Sequence, residues 1–166
     1  MSLGSVQYND SPAEVIRVFY NPDAGDLTAK LQEGYCLCID NDAPANATDD
    51  AERRKLETYV KKPDAGNETS LVGFVAASSA GQAGPGWIDM IRWEPGKIIR
   101  AFTDANMAEA VTILGPTAGS WALQVKTMNA TVNAANVTAF RHAAKCLATE
   151  TLDTDTTNAV ARVLCI

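Results

Sequence analysis

Histidine is almost absent from this chain: His142 is the only one. A Ser-His-Asp triad or a histidine-rich metal site would have to be built on that one side chain. Its surroundings, Phe140-Arg-His-Ala-Ala144, carry no catalytic motif, so a surface or structural histidine is the better reading. Charge is scarce as well, at 20% of residues, and it is unbalanced: 20 acids against 14 Lys and Arg leave a net charge of -6. That sign argues against a nucleic-acid partner, because phosphate binding needs a basic face. The densest basic run, Arg53-Arg54-Lys55 with Lys61-Lys62 beyond it, is offset by Glu52 and Glu57 and reads as a solvated face. No apolar run approaches the length of a membrane span, so no membrane partner is expected. The first residues lack the basic and apolar regions of a signal peptide.

Cysteine is present but not in a metal-binding pattern. Cys36 and Cys38 would point to one face of a strand, which is poor geometry for a single tetrahedral ion, and Cys146 and Cys165 stand alone. Buried free thiols in a reducing compartment are the expectation, with no metal and no cofactor. The acids give no ordered ligand set either. Asp40-Asn-Asp42 lacks the spacing and closing Glu of a calcium loop, and Asp49–Asp50 and Asp153–Asp155 lie among loop residues. Gly81-Gln-Ala-Gly84-Pro-Gly86 has neither the Lys-Ser/Thr of a phosphate loop nor a helix behind it. The sequons at Asn46, Asn67, Asn129 and Asn136 fit a chain rich in Asn and Thr.

What is present is a series of short apolar stretches punctuated by turns, in a chain of 166 residues, enough for one domain with a real core. Val15–Tyr20 is β-branched and aromatic and stops at Asn21-Pro22, a strand ended by a turn. Gly34–Asp40 reads as a second strand, with Tyr35, Leu37 and Ile39 on one face and the cysteines on the other. Leu56–Val60 is preferred as a strand over a short helix opening at Ala51. Ser70–Ala76 reads as a buried strand in which Gly73 marks a bulge or a close backbone approach. Ser78–Gly86 reads as a Gly/Ser/Ala loop, loosely ordered unless something packs on it. Val111–Leu114 favours a strand, and Trp121–Val125 alternates as a half-buried one. Ala134–Ala144 is a loop or one short helix, and Val160–Ile166 is a terminal strand. The expected fold is therefore mainly β, a compact barrel or sandwich-like domain over 13–166 with long loops, at most two short helices, and a flexible N-terminal arm at 1–12.

The most informative stretch is Gly84–Phe102, which reads as two apolar strands joined in a hairpin by Glu94-Pro95-Gly96. Proline fixes φ at the first central turn position and glycine supplies the positive φ of the second. Trp87, Ile91 and Trp93 would share one face and Ile88 and Met90 the other. A strand apolar on both faces must be covered twice, and the second cover is expected to be another chain. The three tryptophans Trp87, Trp93 and Trp121 suit core packing or subunit contact better than stacking on sugars or bases.

Several segments resemble phage head decoration, or capsid cement, proteins: Tyr59-Val-Lys-Lys-Pro-Asp-Ala-Gly-Asn67, Leu71-Val-Gly-Phe-Val-Ala76, Ser78 to Trp87, Glu94-Pro-Gly96, and Ala148-Thr-Glu-Thr-Leu-Asp-Thr154 ahead of Arg162-Val-Leu164. The resemblance covers roughly residues 52–166, and its motifs are structural rather than catalytic. It implies a β-barrel-like, non-enzymatic protein, made in the host cytoplasm. Homotrimers would bind the outer surface of the expanded icosahedral head and bridge major capsid subunits. On that reading Val15, Val18, Tyr20, Trp87, Trp93 and Trp121 are the candidate subunit or capsid interface. The alternative is another virion component, a head fibre or tail protein.

Overall fold

The computed structural model describes residues 13–40, 59–103, 107–109, 111–127, 133–152 and 159–166. The expected arm at 1–12, the acidic loop at 41–50 and the stretch 51–58 lie outside the described residues.

The mainly β expectation holds, as a five-stranded closed barrel beside a second five-stranded sheet. The barrel runs β1 (Val15–Tyr20), β3 (Tyr59–Lys61), β2 (Cys36–Ile39), β4 (Leu71–Val75) and β5 (Gly86–Arg92), with β5 closing back on β1. Only β1 and β3 are parallel; the other barrel pairs are antiparallel. The second sheet is antiparallel in the order β6 (Ile98–Thr103), β10 (Ala159–Cys165), β9 (Cys146–Ala148), β7 (Ile113–Gly115), β8 (Gln124–Val125). A helix, α1 (Ala134–Ala143), is opened by Asn133, whose side chain accepts from the Asn136 amide.

Period-two alternation explains how the barrel fills. Val18 and Tyr20 point inward from β1, Leu37 from β2, Val60 from β3, Val75 from β4, and Ile88 and Met90 from β5. The opposite faces of β2 and β4 supply Cys36, Cys38, Leu71 and Phe74 to a second core, shared with Ile99, Leu114, Cys146 and Val163 of the other sheet. Strands β2 and β4 are thus buried on both faces, which is why they read as nearly unbroken apolar runs. Each fully buried aliphatic or phenyl side chain contributes roughly 1.5–3 kcal/mol. Gly73 is both things its sequence context implied. The β2–β4 register slips beside it, between Leu37 and Cys38. A Cβ at Gly73 would also run into the Ile91 carbonyl oxygen and the Met90 side chain.

Three expectations are corrected. The Glu94–Lys97 turn forms, with the Lys97 amide donating to Glu94 O at 3.2 Å and Gly96 at φ 84°, but it joins no hairpin. Both edges of β5 are occupied by β1 and β4, so β6 finds no edge there and pairs with β10 instead. The second cover over β5 comes largely from the same chain, because Ile91 and Trp93 pack against the shared core. The Ser78–Gly86 loop has the packing partner on which its order was expected to depend. Leu31, 1% exposed, docks on it, donating to Gln82 O and accepting from the Gly81 amide. Finally, Trp121–Val125 breaks its alternation: Ala122 and Leu123 are both buried, and only Gln124–Val125 extends as strand.

Candidate functional site

The outer face of the barrel carries a row of aromatic rings across three strands. Phe19 of β1 stands opposite Tyr59 of β3 on one side and Trp87 of β5 on the other. The ring centroids are 5.0 Å apart for Phe19–Tyr59 and 5.5 Å for Phe19–Trp87, the latter edge to face at 87°. These are cross-strand contacts of the kind that fix a sheet's register. Phe19 and Tyr59 are half-buried, and Trp87, at the end of the row, is 53% exposed. On the same face of β1 and β5 follow the pair Arg17–Asp89 and then Val15–Ile91, with Val15 exposed. Trp87 thus presents a large apolar ring to solvent beside two partly covered ones.

A buried ionic knot holds β3, and so Tyr59, in place. Lys61 is 2% exposed, and its ammonium lies 2.5 Å from Asp64, 3.4 Å from Asp23 and 3.7 Å from the buried Asp40. These acids come from the loop after β1, the end of β2 and the turn after β3, so one cation ties three segments together. Asp40 also accepts from the Asn21 side-chain amide at 2.6 Å. The turn itself is an Asx structure: Asp64 Oδ1 accepts from the Gly66 and Asn67 amides at 2.7 and 3.0 Å. Burial raises the Asp64 carboxyl, but its hydrogen bond to Lys61 and those two amides outweigh it and hold the group below its ordinary value of 3.8. Asn67 is fully buried, donating to Ile39 O at 2.8 Å and accepting from the Asp64 amide at 2.8 Å. The run Lys61-Lys-Pro-Asp-Ala-Gly-Asn67 is therefore a folding device for the short β3 edge, and Asn67 is no accessible sequon.

The six interface residues named from sequence separate into three environments. Trp87 and Val15 lie on the outer barrel surface. Val18 and Tyr20 are 3% and 0% exposed and fill the barrel interior, so they offer no surface to a partner in this fold. Burial pushes the Tyr20 phenol up, and its oxygen has no hydrogen-bond partner among the described residues. Trp93 and Trp121 rivet the barrel to the second sheet. The Trp93 indole donates to Lys145 O at 3.0 Å, just before β9. Trp121 stacks on Tyr35 of the barrel at 4.9 Å and 16°. Sequence reasoning missed Phe19 and Tyr59 as companions of Trp87. Pairing across parallel β1 and β3 is set by long-range topology, and no local signal carries it.

Two further features bear on chemistry. A cavity of about 590 Å³ is lined by the inward-facing Ile16, Val18, Val60 and Met90 together with Leu71, with Arg92 and Glu94 its ionisable members among the described residues. His142 lies on the exposed side of α1. Among the described residues, no group of three or more His, Cys, Asp or Glu side chains is placed to hold a metal ion. Compared with known proteins, the chain matches no family model, no curated protein and no solved structure.

Proposed function

We propose that this protein is a structural binding module of a virion, a head decoration protein that self-associates as a trimer and bridges major capsid subunits on the outer surface of the expanded head. The observation that carries the binding part is the Tyr59–Phe19–Trp87 row, with Trp87 more than half exposed on a rigid barrel wall. A rigid aromatic patch is suited to protein contact, because little side-chain freedom is lost when it is covered. The finer part, capsid and trimer, is supported by the resemblance of the Tyr59–Asn67, Leu71–Ala76 and Ser78–Trp87 segments to head decoration proteins. The net charge of -6 fits an outer surface that must stay soluble. On a lattice of many equivalent sites, modest contacts add up through avidity.

The self-association claim is tested by native mass and sedimentation across micromolar concentrations. The expected result is a homotrimer in equilibrium with monomer; a monomer at every concentration would contradict that part of the proposal.

A further inference from the structure

We propose that Cys146 and Cys165 form a latent cross-strand disulfide site, which a low-molecular-weight disulfide closes into an S–S bond without moving the backbone. The two residues stand directly opposite each other on β9 and β10. The hydrogen-bond alternation fixes the kind of pair. The Ile166 amide donates to Lys145 O at 2.9 Å and the Thr149 amide to Arg162 O at 3.3 Å. Those two positions are hydrogen-bonded pairs, which leaves Cys146 and Cys165 in a non-hydrogen-bonded pair between them. Opposed residues there have Cα atoms about 4.5 Å apart, inside the roughly 4.4–6.8 Å window that a disulfide requires.

The side chains meet as well as the backbones. Both thiols are free, both residues are essentially fully buried, and both belong to the core between the barrel and the second sheet. The neighbouring Cys146 thiol holds the Cys165 thiol below its ordinary value, while burial pushes Cys146 up. Cys165 is thus the attacking sulfur and Cys146 the resolving one. The other two thiols are placed differently: Cys36 and Cys38 sit side by side along β2 rather than face to face, and Cys36 donates to Ser120 O.

The exchange balances. Cys165, as thiolate, attacks one sulfur of the small disulfide and expels one thiol. Cys146 loses its proton and attacks the Cys165 sulfur of the mixed disulfide, which expels the second thiol. Two protein S–H groups become one S–S bond, and the oxidant's S–S bond becomes two S–H groups.

The test exposes the folded protein to hydroxyethyl disulfide, a small neutral oxidant, with and without sub-denaturing urea to speed local opening. The expected product has lost the mass of two hydrogen atoms. Peptide mapping after denaturing alkylation should join Cys146 to Cys165 and find Cys36 and Cys38 alkylated. A reductant restores the starting mass, and the oxidised form melts roughly 5–10 °C higher, as closing a loop of this length implies. Cys165→Ser and Cys146→Ser each abolish the product, although the wild-type map is decisive without them. A disulfide that uses Cys36 or Cys38, or four free thiols after exposure in urea, would overturn the proposal.

Discussion

Lys61→Met is expected to lower stability by about 3–5 kcal/mol, because it leaves buried negative charge without its cation. The substitution keeps the length and apolar bulk of the side chain and removes only the ammonium. Asp40, 2% exposed, then keeps a carboxylate in the barrel rim with the cation 3.7 Å away deleted. Desolvating a charge without its counter-ion is the costly event, so the damage should be repaired from the other side. In Lys61→Met/Asp40→Asn the buried negative charge is gone, and a substantial part of the loss should return. Urea unfolding of the four members of this cycle measures the coupling. Equal losses in the single and double variants would show that Lys61 acts through packing alone. The pH dependence follows from the same contact. Because the Asp64 carboxyl is held below 3.8 in the folded state, its contribution to stability is present above that value and is lost as pH falls through the folded-state value. Wild type should weaken across that acid window, and Lys61→Met should weaken less there.

Trp87→Ala is expected to separate folding from the proposed self-association. The indole is 53% exposed and ends the aromatic row, so its removal leaves both cores intact. The expected change in unfolding free energy is about 1 kcal/mol. Its effect on self-association should be far larger, at least ~30-fold in the dissociation constant, since a central tryptophan contributes about 2 kcal/mol or more at an interface. Trp93→Ala supplies the opposite pattern. It removes the bond to Lys145 O and the packing of β5 on the shared core, and should cost about 3–5 kcal/mol of stability. Melting and sedimentation of the two variants side by side decide the matter. Wild-type association by a folded Trp87→Ala protein would remove the aromatic row from the interface.

How far the sequence could be read follows from the range of the forces that shape each part. Strand β1 is legible because its β-branched and aromatic residues and its Asn21-Pro22 stop are local, and Gly73 is legible because only close approach demands its missing Cβ. The Glu94-Pro95-Gly96 turn was equally local. What the turn connects was not, because whether β6 pairs with β5 depends on β1 having already taken that edge. The same limit hid the roles of the tryptophans. Trp87, Trp93 and Trp121 are chemically alike, and only the placement of Phe19, Lys145 and Tyr35 around them makes one a surface and the other two rivets. Lys61 was hidden for a further reason: a lysine beside a second lysine reads as solvent-exposed, until three acids from separate segments close around it.

The most direct test of the proposed function is co-sedimentation of the purified protein with expanded, undecorated heads of its parent phage. Saturable binding at a fixed ratio to the major capsid protein, weakened in Trp87→Ala, is the predicted result. A folded wild-type protein that stays in the supernatant at every head concentration would contradict the decoration role and direct attention to the tail or a head fibre.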